Sequence, residues 1–246
     1  MHILSGIFIA SALLLTPDSE LKDEARELFF SGEEEEALAI YSEIVDDHPD
    51  DVEVIWQTAM LYARVGNRLE DHEEREDHFA RAEYYAEQAL DLDSGNANAH
   101  FTYSVVQARI ANHASTEESL AKSEKIRSHS QKALEIDPEH EGALHVLGMW
   151  HQRIANLSFA ERAIVNTLFG GVPDGASNEK AEQYLSKAAE QDPEMILYQL
   201  DLAKFYTEQG NDTKARRILQ DLQDLEPRFK EDAERIEEAG NMLASL

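Results

Sequence analysis

The stretch EGALHVLGMWHQRIANLSFAERAIVNTLFGG, Glu141 to Gly171, decides the fold, because its first half recurs upstream. ALHVLGMWHQRIAN (Ala143 to Asn156) falls without a gap on AHFTYSVVQARIAN (Ala99 to Asn112), 44 residues earlier, and both end in Arg-Ile-Ala-Asn. A third copy, VIWQTAMLYARVGN (Val54 to Asn67), lies 45 residues before that one. Self-similarity at such a period marks stacked units, each too small to bury its own apolar face and completed by its neighbour. The expected fold is therefore all-α, a solenoid of helical hairpins.

Working outward, the units read as residues 18–49, 50–93, 94–137, 138–193 and 194–227, with a capping helix over 229–246. In the first, Leu21, Ala25 and Leu28 make one helical stripe, Ser31-Gly32 interrupts it, and Ala37, Tyr41 and Ile44 make a second that ends at His48-Pro49. In the second, a helix over Val52 to Val65 is expected to stop at a left-handed Gly66-Asn67. Its partner runs from about Glu76 to Leu92 with Ala82, Ala86 and Ala89 inside, and the charged RLEDHEERED between them reads as a solvated helical end or loop. The fourth unit spans 55 residues from Pro138 to Pro193, and its surplus holds an apolar helical stretch with Phe159, Ala163, Ile164, Leu168 and Phe169. The fifth, Glu194 to Pro227, has the 34-residue length and the Leu202, Ala203, Tyr206, Gly210, Ala215, Leu219 and Pro227 spacing of a tetratricopeptide repeat.

Composition excludes several functions. The 246 residues contain no cysteine, so disulfides, thiolate metal sites and cysteine nucleophiles are ruled out. Fifty acidic against 22 basic residues give a formal charge of -28, which repels nucleic acid and keeps a long helical array soluble. The apolar run Ile3 to Leu15, followed by TPDSE, is too short to cross a bilayer as a helix but fits a secretory leader within residues 1–17, with Ala10-Ser11-Ala12 as a cleavage site. An exported or periplasmic protein follows from that reading. The alternatives are a membrane anchor or a buried first helix in a cytoplasmic protein.

From about Glu76 to Met242 the chain resembles the regulator of microtubule dynamics family, within the tetratricopeptide class. The carrying motifs are YYAEQALDLD, HVLGMWHQRIANLSFAERAIVNTLFGG and AEQYLSKAAEQDP. Leu147, Gly148, Trp150, Leu157, Ser158, Glu161, Arg162, Leu168, Phe169 and Gly170 supply the specific part. The resemblance implies a non-enzymatic helical-repeat adaptor, with microtubule and organelle-membrane roles in eukaryotic members. A chain of charge -28 would be repelled by the acidic surface of tubulin, so direct microtubule binding is not expected.

Motifs for chemistry fail on spacing. His140-Glu141 and His145 miss the zincin pattern by one residue, which sets the two histidines about 140° apart around a helix. Glu74 and His78 share a face without further ligands, and the Asp91 to Asn96 turn lacks the calcium loop's glycine position and its closing Glu. With no P-loop, GxGxxG or Ser-His-Asp order, neither an enzyme nor a cofactor is expected.

Superposing the repeats gives a better constellation. The inner face of the first helices carries Trp56, Phe101 and His145 at one level, Met60, Val105 and Met149 one turn on, then Arg64, Arg109 and Arg153. An apolar strip ending in arginines suits a peptide or protein partner with anionic groups, or alternatively a lipid or other amphipathic anion. The competing expectation is structural: arginines in a last turn complement the helix dipole or pair with neighbouring carboxylates, and repeated aromatics are core.

Overall fold

The computed structural model describes residues 17–168, 171–173 and 175–246. Among them are twelve helices and no strand: α1 Pro17–Ser31, α2 Glu34–Asp47, α3 Val52–Arg68, α4 His72–Leu92, α5 Ala97–His113, α6 Thr116–Ile136, α7 Glu141–Ala155, α8 Phe159–Leu168, α9 Asn178–Gln191, α10 Ile196–Glu208, α11 Asp212–Leu222 and α12 Asp232–Ser245. None of these is long and apolar enough to cross a membrane. The leader reading falls outside the described residues.

The helices pair in chain order, α1 with α2, α3 with α4, α5 with α6, α7 with α9 and α10 with α11, and each pair leans on the next. Small residues make the pairing close. Ala25, Ala37, Ala82, Ala86, Ala89, Ala133, Ala181, Ala188 and Ala215 are all fully buried, which brings backbones together and lets larger neighbours interdigitate. At the far end α12 lies on α10 and α11 and covers Leu200, Ala203 and Leu219, the apolar surface that a sixth repeat would otherwise bury.

The joints between hairpins repeat one device. Asp93, Asp137 and Asp192 sit where α4, α6 and α9 end, each with φ between -126° and -144°, and each carboxylate accepts the N–H two residues on, from Gly95 at 2.9 Å, Glu139 at 3.0 Å and Glu194 at 3.2 Å. Pro138 and Pro193 follow directly and disfavour helical geometry at the residue before them, so the chain leaves each hairpin at a similar angle. The Asp93 carboxylate, part of the calcium-like hexapeptide, is thus used inside its own turn.

Two local expectations change. Gly66 is not a left-handed stop: α3 runs through it to Arg68, and among the described residues the positive-φ glycines are Gly32, Gly171, Gly175 and Gly210. Gly66 is needed for space, since a Cβ there would stand 2.8 Å from the Cβ of His78 on α4. α4 begins at His72 rather than near Glu76, because the Asp71 carboxylate caps it by accepting the Glu74 N–H at 2.9 Å. The apolar stretch of the fourth unit is helical, as α8, and within it only Val165 is buried, while Phe159 is 90% exposed and Leu168 52%.

The family-like motif builds the corner from α7 into α8. A Cβ on Gly148 would lie 2.8 Å from Leu185 Cγ and 3.0 Å from the Leu185 backbone nitrogen, so the glycine admits α9 against α7. The buried Trp150 indole donates to Ser123 on α6, at 3.0 Å to its carbonyl and 2.8 Å to its hydroxyl. Ser158 and Glu161 cap α8 reciprocally at 2.8 and 3.3 Å, and Arg162 donates back to the carbonyls of Leu157 (3.0 Å) and Ala155 (2.9 Å). Phe169 and Gly170, the end of that motif, lie outside the described residues.

Candidate recognition groove

The first helices α3, α5, α7 and α10 present equivalent faces, but their residues meet different surroundings. Trp56 and Met149 are half-buried and pack onto the cores of the first and fourth hairpin pairs respectively. Met60 and Val105 keep partial exposure. Phe101 is wedged between α5 and α7, so close that a Cβ on Gly142 would come within 2.5 Å of its ring, and its centroid lies 4.7 Å from that of His140. His145 donates through Nε2 to an Asp201 carboxylate oxygen on α10 at 2.8 Å and stacks on Tyr198 at 4.7 Å. The Tyr198 hydroxyl is pushed well above the usual phenol range by burial.

The three arginines diverge. Arg153 is half exposed and ion-paired with Glu161, a pairing that together with the Ser158 cap lowers the Glu161 carboxyl to about 2. Arg64, with only 13% of its side chain exposed, donates to Glu34 at 2.6 Å and to Glu231 at 3.1 Å, while its guanidinium lies 4.7 Å from the Phe229 ring centroid. Arg109 has no hydrogen bond or ion pair among the described residues. Its pKa falls below the usual guanidinium range through burial first, then through the like charges of Arg64 and Arg235, against the opposing pull of Glu231 and Asp201. None of its nitrogens is among the sealed, unsatisfied atoms, so the guanidinium meets solvent-accessible space. Arg109 is thus deep-set, cationic and unpaired, where the two ends of the array converge.

That convergence was hidden from the sequence. Glu34, 0% exposed at the start of α2, holds Arg64 and Arg68 from one side; Glu231, just before α12, holds the same pair from the other, reaching Arg68 at 2.9 Å. Lys230 meets Glu35 at 3.1 Å, and Phe229 packs edge-on against Phe29 at 5.6 Å. Glu231 lies outside the repeats and Glu34 on a second helix, so superposing the first helices could not find them. Among the described residues no cluster of three or more histidine and acidic side chains is arranged to hold a metal ion. His140 caps α7 through Nδ1 and contacts Asn98 through Nε2 at 3.1 Å, and His78 bonds the Glu74 carbonyl at 2.8 Å.

Residues 21–246 match the family described as "Regulator of microtubule dynamics protein 1-3". The regulator of microtubule dynamics protein 1 of Bos taurus is 25% identical over 244 residues, 98% of this chain and 76% of that protein. Protein 3 of Rattus norvegicus is 26% identical over 190 residues, 74% of this chain and 40% of that one. Among solved structures, a thermophilic tetratricopeptide-repeat protein of Thermus thermophilus superposes with a TM-score of 0.67 at 15% identity, covering 91% of this chain and 99% of that one. At that identity the likeness establishes the helical-repeat fold alone.

Proposed function

The chain belongs to the regulator of microtubule dynamics family, and we propose that within it this protein is a non-catalytic adaptor that receives a peptide or protein partner on its inner face. Arg109 carries the proposal. An ionised group set deep in a protein is costly unless paired, and in a chain with 50 acidic residues an intramolecular partner would be easy to supply. Arg109 nonetheless has none among the described residues, and its guanidinium opens on accessible space. An incoming carboxylate or phosphate would find a planar fork of donors already in place, one turn along α5 from the partly exposed Val105. Arg153, engaged by Glu161, serves architecture in this proposal, and Arg64 is already engaged by Glu34 and Glu231, so neither offers an anion the free fork that Arg109 does.

The relatives take their name from microtubule dynamics, and a net charge of -28 argues against direct contact between this chain and a like-charged filament. The test compares wild-type protein with Arg109→Met, both tagged and recovered from the native host, by mass spectrometry under native and denaturing conditions. A protein or peptide retained by wild type and lost from the variant supports the adaptor. A bound lipid lost from the variant points to an amphipathic-anion carrier using the same face, and identical recovery from both removes Arg109 from the function.

A further inference from the structure

The tip of the connection between α11 and α12 lies against the N-terminal hairpins as a bound peptide would. We propose that Phe29, Phe30, Arg64 and Arg68 form a docking site for a peptide presenting an aromatic side chain and, two residues on, a carboxylate, and that the chain's own Phe229 and Glu231 fill it here. The inference deepens the adaptor reading, on which it rests for its purpose but not for its chemistry.

Three consecutive residues of the tip each find a separate partner. The Phe229 ring sits 5.6 Å from Phe29 and 6.3 Å from Phe30, under the Arg64 guanidinium at 4.7 Å. Lys230 reaches Glu35 at 3.1 Å. The two oxygens of Glu231 are divided, one to Arg64 at 3.1 Å and the other to Arg68 at 2.9 Å. The ring and the carboxylate thus fix register and spacing together, which is how a short linear segment is recognised.

Both halves of this contact hold their shape from within. On the tip side, the buried Asp232 carboxylate accepts the N–H groups of Arg228 (3.0 Å) and Phe229 (2.9 Å), and Arg228 is tied to Asp192 at 3.0 Å. On the receiving side, Glu34 holds both arginines independently of Glu231. Substantial helix packing runs only between neighbours along the array, so the tip is the main tie between its first and last hairpins. A contact made by one short segment, between two preformed parts, can be exchanged for an equivalent segment from a partner. The tethered copy competes at an effective concentration in the millimolar range.

The test uses the full chain. Phe229→Ala/Glu231→Gln opens the site, and a labelled peptide of residues 228–235, RFKEDAER, is titrated by fluorescence anisotropy. The opened chain is expected to bind the peptide at least tenfold more tightly than wild type, which must first release its own tip. Adding Arg68→Gln should abolish that gain, and a scrambled peptide should show none. Glu231→Lys serves as a second opened variant, with helicity by circular dichroism confirming the fold of each. Equal affinity for opened and wild-type chains, equal binding of the scrambled peptide, or unfolding of both variants would overturn the proposal. So would a concentration-dependent wild-type dimer lost on opening, which would assign the site to exchange between copies. None of these outcomes involves Arg109, so the groove reading stands or falls separately.

Discussion

Replacing Glu34 with Gln should destabilise the fold more than any other single charge removal in the first hairpin. The carboxylate is wholly buried and accepts from both Arg64 and Arg68, whose side chains are only 13% and 20% exposed. Gln keeps the size but turns one acceptor into a donor facing a guanidinium. Breaking a buried pair in this way costs about 3–5 kcal/mol when the stranded charge has no other partner. Here Glu231 still holds both arginines, so about 2–3 kcal/mol is the reasoned figure. For a chain of this length that corresponds to a fall of about 5–10 °C in melting temperature. The assay is thermal and urea unfolding followed by circular dichroism, with the exposed neighbour Glu36→Gln as control. A double-mutant cycle with Arg68→Gln should return a coupling of about 1 kcal/mol or more. A Glu34→Gln protein melting within about 2 °C of wild type would refute the reasoning, because it would mean that the arginines do not depend on this carboxylate.

Other consequences can be measured on the same footing. Gly148→Ala forces a Cβ to 2.8 Å from Leu185 Cγ and 3.0 Å from its backbone nitrogen, and should cost about 1–3 kcal/mol in urea denaturation. His151 is held down to about 4, by burial first and then by Lys180 and Arg127, against 6.5 when unfolded. Since the native state keeps it neutral, stability is full above about pH 6.5 and declines as pH falls towards 4, by a few kcal/mol at most. His129, also held to about 4, adds to the same decline, so His151→Phe, which preserves the stack on Tyr184, should remove only part of it. Glu161, lowered to about 2 by Arg153 and the Ser158 cap, acts at more acid pH: its contribution is present above about 4.5 and is lost as pH falls through 2, a loss that Glu161→Gln should erase from the acid-unfolding curve.

The repeats were legible because their signal is local. Small residues at Ala37, Ala82, Ala181 and Ala215 and the aspartates ending the second, third and fourth hairpins are chosen by neighbours within one repeat, so periodicity exposes them. The helix limits near Gly66 and His72 were misjudged for a related reason: glycine serves both left-handed stops and close crossings, and only the position of His78 distinguishes them. At the site, superposing repeats aligns Arg64, Arg109 and Arg153 along the sequence and is silent about their partners. Those partners come from outside the period: Glu231 is 167 residues from Arg64, and Glu161 sits in an insertion that other repeats lack. Equivalent positions therefore acquire different chemistry wherever the array ends, closes or is interrupted.

The melting temperature of Arg109→Met, measured against wild type in the same buffer, tests most directly whether an unpaired cation is kept for recognition. Methionine fills similar space without the charge that burial, Arg64 and Arg235 all oppose. The account predicts a variant at least as stable as wild type, gaining on the order of 0.5–2 kcal/mol, or a few degrees. A fall of several degrees would contradict it, by showing that Glu231 and Asp201 depend on Arg109 to hold the fold together.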